Sequence, residues 1–485
     1  MVCLGLLAML MPYMPHTTAM TIMQRDIPAT AWLGKIEARG GPLFLQIVHY
    51  LEAGIAAGKL RAGDRLTPQR VVARSLGIDL TTVTRAYSEA RRRQLLVADG
   101  ARGTFVAVPK VELRGMVDLS LNIPPPPAQA DLHDLLKVGL AQVLLRSEVD
   151  VLMTYHRGGG SDADRQAGAC WLAPMLGNVD VDRIVASPGS QAALCALLLA
   201  STSAGDAVLC EPLVYPGIRA AATQLGRRLA DVEVDDEGML PASLEQVAKR
   251  TGGRVVYLNP TIQNPTTVTM PERRRRAIVK MATRLDLQII EDDPYWLLAD
   301  DAPAPLARMA PERVHYVSTL SKCLSPGLRT AFVVSPDTAR RVAFLAALRT
   351  FSLMRAPLTA VLVTQWLNDG TAQRILAGVR TEARARQELV EQALPGRTLP
   401  RYSSREGIHM WLELPSYWTA RAFARAARAQ GLAVTSSDAF SSSPAATNAI
   451  RISLGEGHDR RRMALALSRL SGLLARKPAI DAAVV

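Results

Sequence analysis

The chain has 485 residues, 48% of them hydrophobic and 21% charged, with a formal charge of +13 and a pI near 9.8. That length exceeds one ordinary domain, so two or three are expected, and the basic balance favours a polyanionic partner such as nucleic acid. The five cysteines, at 3, 170, 195, 210 and 323, include no C-x-x-C pair, which argues against a zinc site or a disulfide scaffold and for a reducing cytoplasm.

Residues 1–30 open with "MVCLGLLAMLMPYM", apolar like the core of a signal peptide, but no Lys or Arg precedes it and Pro12 and Pro15 break it. The expectation is a disordered extension or a misread start, with Met20 or Met23 as the true first residue. No later run reaches the roughly 20 apolar residues that a membrane helix needs.

Residues 41–108 have a different character. Phe44, Ile47, Val48, Leu51 and Ile55 recur at helical spacing up to Gly58. "LTPQRVVARSLGI" predicts a second helix, capped by Thr67, started by Pro68 and closed by Gly77. "DLTTVTRAYSEARRR" predicts a third, with Asp79 as N-cap and Val83, Ala86, Tyr87 and Ala90 turned inward. "LLVADGARGTFVAV" predicts a hairpin. Three helices and a hairpin make a winged helix-turn-helix.

Ten Lys or Arg stand against five Asp or Glu in this stretch, among them Arg85, Arg91, Arg92, Arg93 and the wing residue Arg102. Such groups position a protein on phosphates, while Thr81, Thr82 and Thr84, at the start of the third helix, would reach base edges. The run Arg91, Arg92, Arg93 reads equally well as a solvated helix end. The stretch "FLQIVHYLEAGIAAGKLRAGDRLTPQRVVARSLGIDLTTVTRAY", with "GARGTFVA" closing it, resembles the DNA-binding domain of GntR-type bacterial regulators. The resemblance adds Arg70 as a residue that approaches DNA. Leu80 stands where the family often has an arginine, so the base contact at that position differs.

Residues 109–130 lose periodicity and contain "NIPPPPAQA", which predicts an extended, stiff linker. From 131 to 475 helices alternate with short apolar runs: "RIVASPG", "DAVLCEP", "RVVYLNP", "LQIIEDDPY" and "VHYVSTLSK". That pattern predicts an α/β fold with a largely parallel sheet buried on both faces, and ligands beyond the carboxyl ends of its strands. Residues 476–485 form a tail.

The strand ends carry the chemistry. Gly189, Ser190 and Gln191 open a helix whose amides could cradle a phosphate. Asn264 precedes a proline in a turn. Asp292 and Tyr295 lie three apart, where a carboxylate could keep a ring nitrogen protonated. Lys322 follows an apolar run, and a lysine withdrawn from water becomes a nucleophile able to form a Schiff base. Each has an ordinary structural reading alone; together they are the requirements of pyridoxal 5′-phosphate.

The order of these residues also resembles the fold type I aminotransferases, with a large α/β domain and a smaller C-terminal one. The resemblance implies that Tyr215 stacks on the cofactor ring, that Asn264 and Tyr295 donate to its 3′-oxygen, and that Thr319 and Arg329 bind its phosphate. It implies further that Tyr155 reaches the phosphate of a neighbouring subunit in a homodimer, and that Arg451 clamps a substrate carboxylate. Thr267 stands where the family often has glycine. A GntR-like front on an aminotransferase-like body resembles the MocR group of transcription regulators. The implied function is a cytoplasmic regulator that binds a double-stranded operator and senses an amino acid or amine through Schiff-base chemistry. A working transaminase is the second reading, and the winged front, which an enzyme does not need, favours the first.

Overall fold

The computed structural model describes residues 26–28, 32–34, 41–61, 63–93, 95–98, 103–107, 116–156, 158–394, 406–441, 447–457 and 459–477. The chain divides into two compact units, Met1–Arg114 and Gly115–Val485.

In the first unit, helices Leu43–Ala56, Gln69–Leu76 and Leu80–Arg92 enclose Ile47, Val48, Leu51, Val72, Val83, Ala86, Tyr87 and Ala90, all buried. Gly77 ends the second helix at φ +62, a left-handed conformation that glycine adopts without a Cβ penalty. Asp79 caps the third by accepting from the Thr81 amide at 2.7 Å. Pro68 rather than Thr67 occupies the N-cap of the second helix, and Thr67 instead gives its carbonyl to the Tyr87 hydroxyl at 3.0 Å. Strands Leu96–Ala98 and Thr104–Val106 form the expected hairpin, extended by Arg65–Leu66. Asp26–Ile27 pairs in parallel with Arg65–Leu66, so these two residues of the expected N-terminal extension belong to the sheet. The candidate starts Met20 and Met23 lie outside the described residues.

The second unit is built on a seven-stranded sheet in the order Ile184–Ser187, Ala331–Val334, Val314–Thr319, Gln288–Asp292, Val255–Leu258, Ala207–Cys210, Arg228–Asp231. All five strands expected from the sequence are present. The added Ala331–Val334 runs antiparallel to both its neighbours, and every other pairing in the sheet is parallel. Helices Ser190–Ser201 and Thr338–Phe351 pack together on one face, and Asp162–Leu176 with Pro357–Asn368 on the other. This explains why the strands read as continuous apolar runs.

A smaller lobe pairs Ala449–Ser453 with His409–Glu413 and Thr435–Ser436, under helices Ala420–Ala429 and Arg460–Leu474. Helix Thr371–Ala393 ties the lobe to the rest of the unit: its buried Arg386 donates to the carbonyls of Leu454 at 2.6 Å, Glu456 at 2.8 Å and Gly457 at 2.6 Å.

The expected linker is the main correction. The described part of it, from residue 116 onward, belongs to the second unit. Val117–Asp118 pairs with Leu432–Ala433, Pro125 and Pro127 are buried, and the Ala128 amide donates to Gly378 O at 3.0 Å. Prolines carry no N–H, so an extended proline run can be packed without stranding donors. Its lack of periodicity reflects that conformation, not solvent.

Candidate functional site

Nine of the residues expected at the cofactor site line one cleft of about 110 Å³: Ser190, Gln191, Tyr215, Asn264, Asp292, Tyr295, Thr319, Lys322 and Arg329. Asn259 and Ser321 join them. The carboxyl ends of three neighbouring strands, Val255–Leu258, Gln288–Asp292 and Val314–Thr319, deliver most of the set.

At one end, helix Ser190–Ser201 points its first amides into the cleft, an electropositive terminus suited to an anion. Gly189 stands before it at φ +100, and a Cβ there would lie 2.9 Å from the Arg329 guanidinium. Close approach of the arginine therefore requires the glycine. Arg329 donates to Pro188 O at 3.3 Å, and Thr319 Oγ1 and Ser321 Oγ are 3.0 Å apart. Amides, two hydroxyls and a guanidinium converge there as a phosphate would need.

Asp292 is buried. Its Oδ2 accepts from the Tyr257 hydroxyl at 2.8 Å, its backbone carbonyl from Asn259 Nδ2 at 2.8 Å, and its Oδ1 has no partner. Burial pushes this carboxyl up to about 7, against the Tyr257 hydrogen bond, which pulls it down. An unpartnered buried carboxylate oxygen costs stability unless something donates to it, and a protonated ring nitrogen would.

Burial draws the Lys322 ammonium down to about 8, helped by the neighbouring Arg451. A sizeable neutral fraction is then present near pH 7.5, as a nucleophilic amine requires. Lys322 Nζ donates to the backbone carbonyl of Asn122. The Tyr295 oxygen accepts from Asn122 Nδ2 at 2.7 Å, and burial holds that phenol above its ordinary value. Its own proton is therefore kept and is available to donate. Tyr215 is likewise held protonated by burial, with Asp292 adding to the effect.

Arg451 comes from the small lobe. Nη1 donates to Asn264 Oδ1 at 2.9 Å, Nη2 to Ser120 O at 2.6 Å, and Nε is buried without a partner. Because Asn264 spends its oxygen on Arg451, its amide nitrogen remains to donate into the cleft. The loop carrying Asn264 is braced by buried Arg275, which donates to Met270 O at 2.9 Å and Pro260 O at 3.1 Å. Thr267, in the position where glycine was the family's habit, has φ +65, the left-handed backbone that explains that habit.

Tyr155 is not in this cleft; it is 80% exposed elsewhere on the unit. Sequence reasoning missed Ser120, Asn122, Tyr257, Asn259 and Ser321. The first two lay in the presumed linker. Tyr257 could have been found, since it shares strand parity with Asn259 on a run ending at the cleft.

In the first unit, a groove is lined by Arg65, Thr67, Pro68, Gln69, Arg70, Leu80, Gly103 and Thr104, so Arg70, the start of the third helix and the wing share one surface. Thr81 and Thr84 are exposed, Thr82 is half-buried, and Thr84 Oγ1 donates to Gln69 Oε1 at 2.9 Å. The Arg85 guanidinium lies 4.1 Å from the Phe44 ring centroid, which fixes its direction. Arg92 and Arg93 pair with Glu89, and Arg93 also with Glu52 at 3.0 Å, so those two stiffen the helix end. Arg102 lies outside the described residues.

Residues 114–470 match the family "Aminotransferase class I and II". The chain belongs to that family. Residues 43–106 match "Bacterial regulatory proteins, gntR family", and the two matches together make this a MocR-type chain. It is 29% identical to the vitamin B6 salvage pathway transcriptional repressor PtsJ of Salmonella typhimurium, over 85% of this chain and 94% of that one. It is 31% identical to a 2-aminoadipate transaminase of Thermus thermophilus, over 68% of this chain and 85% of that one. Among solved structures, the α-aminoadipate aminotransferase LysN of Thermus thermophilus, complexed with N-(5′-phosphopyridoxyl)-L-leucine, is similar at 26% identity and a TM-score of 0.66, covering 80% of this chain and 98% of that one. The cleft's donor set fits pyridoxal phosphate: an unpartnered Asp292 oxygen, a glycine cradle under Arg329 and an amine lowered toward neutrality.

Proposed function

We propose that this MocR-type chain is a pyridoxal phosphate-dependent transcription regulator of the cytoplasm, which binds a double-stranded operator through its first unit and senses an amino acid or amine in the cleft of its second. The observation that carries this is the pairing of a winged helix-turn-helix with a cleft that holds both Lys322 and Asp292.

Pyridoxal phosphate, when bound, supplies an aldehyde carbon to the lysine and a conjugated ring that takes up electrons. The residues divide the remaining work. Lys322 contributes its neutral amine. Asp292 Oδ1 would accept from the ring nitrogen, with Tyr257 holding the other oxygen. Asn264 Nδ2 and the Tyr295 hydroxyl would donate to the ring oxygen, and Tyr215 would face the ring. The amides of Ser190 and Gln191, the Thr319 hydroxyl and Arg329 would hold the phosphate, joined by a second subunit's Tyr155. Arg451 offers its guanidinium to a carboxylate.

The same residues would serve transamination, so that activity is the second reading; nothing in it requires the first unit. An exposed apolar face on the second unit, including Leu144, Leu145, Val149, Met153 and Tyr155, supports a homodimer. Lys322→Ala is expected to remove the visible absorbance of bound cofactor while leaving the thermal midpoint within a few degrees of wild type. Persistence of that band would refute the assignment of Lys322.

A further inference from the structure

Segment 117–123 makes a set of contacts that neither a linker nor a plain edge strand needs. Val117–Asp118 pairs with Leu432–Ala433, and Leu119 O accepts from the Ser453 amide at 2.8 Å. Ser120 O takes Arg451 Nη2 at 2.6 Å and Thr435 Oγ1 at 3.3 Å. Asn122 bridges across to the large lobe, with its carbonyl on Lys322 and its Nδ2 on Tyr295 at 2.7 Å. Its Oδ1 is buried and unpartnered. Room for this passage is built in: a Cβ on Gly455 would fall 1.8 Å from Ile123 O.

The two cations that hold the segment are the two that ligands would engage. Lys322 is the group a cofactor aldehyde would consume, and Arg451 the group a carboxylate would neutralise. Hydrogen bonds from charged donors are roughly twice as strong as neutral ones, so engagement of Arg451 by a carboxylate weakens its hold on the Ser120 carbonyl. In the sequence, only residues 115 and 116 separate the segment from the end of the first unit at Arg114.

We propose that Asn122 is a positioning residue of the cofactor site, and that the segment 117–123 carrying it is the element that reads a carboxylate ligand, through the Ser120 carbonyl that Arg451 holds and would give up as the carboxylate takes over its guanidinium. This rests on the regulator reading above. Asn122 acts through Tyr295: by donating to the phenol oxygen it turns the phenol proton toward the cleft. Its release would be felt by the chain leading to the first unit, because the effector then binds two arrangements of the segment with different affinity.

The test uses full-length protein loaded with pyridoxal phosphate, duplexes from upstream of its own gene, and each of the twenty L-amino acids as probe. In wild type, the amino acid that perturbs the cofactor absorbance should speed hydrogen exchange in 117–123 by about tenfold and change operator affinity about 5- to 150-fold. Asn122→Ala removes the donor to Tyr295 but leaves the backbone carbonyls of Asn122 and Ser120, so it should displace the pH midpoint of the bound-cofactor absorbance while the segment still answers the amino acid. The positioning role of Asn122 is overturned if Asn122→Ala keeps the wild-type pH midpoint. The reading role of the segment is overturned if its exchange is unmoved by an amino acid that shifts operator affinity, a measurement on wild type that decides the matter even where the variant does not fold. Should no amino acid alter operator affinity in wild type, the sensing function itself fails, and this inference with it.

Discussion

Asp292 places stability and function in opposition. Its buried carboxyl titrates near 7 in the fold, above the value near 4 of an unfolded aspartate. The folded state therefore binds the extra proton between those values: there is no penalty below about pH 4, and stability falls as pH rises through 7, by a few kcal/mol in all. Glu211 and Glu291, each pushed by burial to about 7, act in the same direction. Cofactor-free protein is thus expected to melt at a lower temperature at pH 8 than at pH 5. Asp292→Asn should raise the pH 8 midpoint, flatten part of that slope and weaken cofactor binding at least tenfold, as melts and cofactor titrations across pH would measure. A steeper slope in the variant would contradict the account. Lys322 and Asp292 were legible as residue types at strand ends, because in combination with a phosphate cradle and a phenol they match one cofactor, although each alone has an ordinary use. Tyr257 was legible only through its strand parity with Asn259, since by itself a buried tyrosine inside a strand looks like core.

At the scale of elements, the winged front was legible almost throughout, because capping Asp79, helix-closing Gly77 and the inward spacing Val83, Ala86, Tyr87, Ala90 are local signals. Its recognition surface is testable through Arg70, which shares a groove with Leu80 and Thr104. Arg70→Ala is expected to weaken operator binding about tenfold at moderate salt and to lower the slope of log affinity against log salt by about one, as loss of one phosphate contact does. An unchanged slope would move the phosphate contact elsewhere. The strands of the body were legible for the opposite reason, being uniformly apolar. The antiparallel Ala331–Val334 was hidden by its position directly after the Lys322 loop, and segment 117–123 by a proline run that imitates a linker. Long-range pairing leaves no periodic trace when only two residues of a strand are paired.

For the whole molecule, the two-unit division and the α/β class followed from composition breaks and alternation, while the boundary moved to near residue 114 because packing, not periodicity, defines it. Leu145 and Met153, 86% and 81% exposed, are costly on a monomer surface. Sedimentation of the loaded protein is expected to give a dimer, and the double variant Leu145→Asp/Met153→Asp to weaken it at least tenfold; a wild-type monomer would remove Tyr155 from the site. On the function proposed above, the winged front and the amine-bearing cleft are coupled, so that occupancy of the cleft alters the grip on DNA. The most direct measurement is therefore the absorption spectrum of the purified, cofactor-loaded protein during titration with amino acids, recorded alongside its affinity for DNA from its own upstream region. The account predicts a visible band perturbed by an amino acid over the same concentration range in which operator affinity changes. Rapid conversion of amino acids to keto acids with no binding to DNA would contradict it, leaving an aminotransferase whose front unit has another purpose.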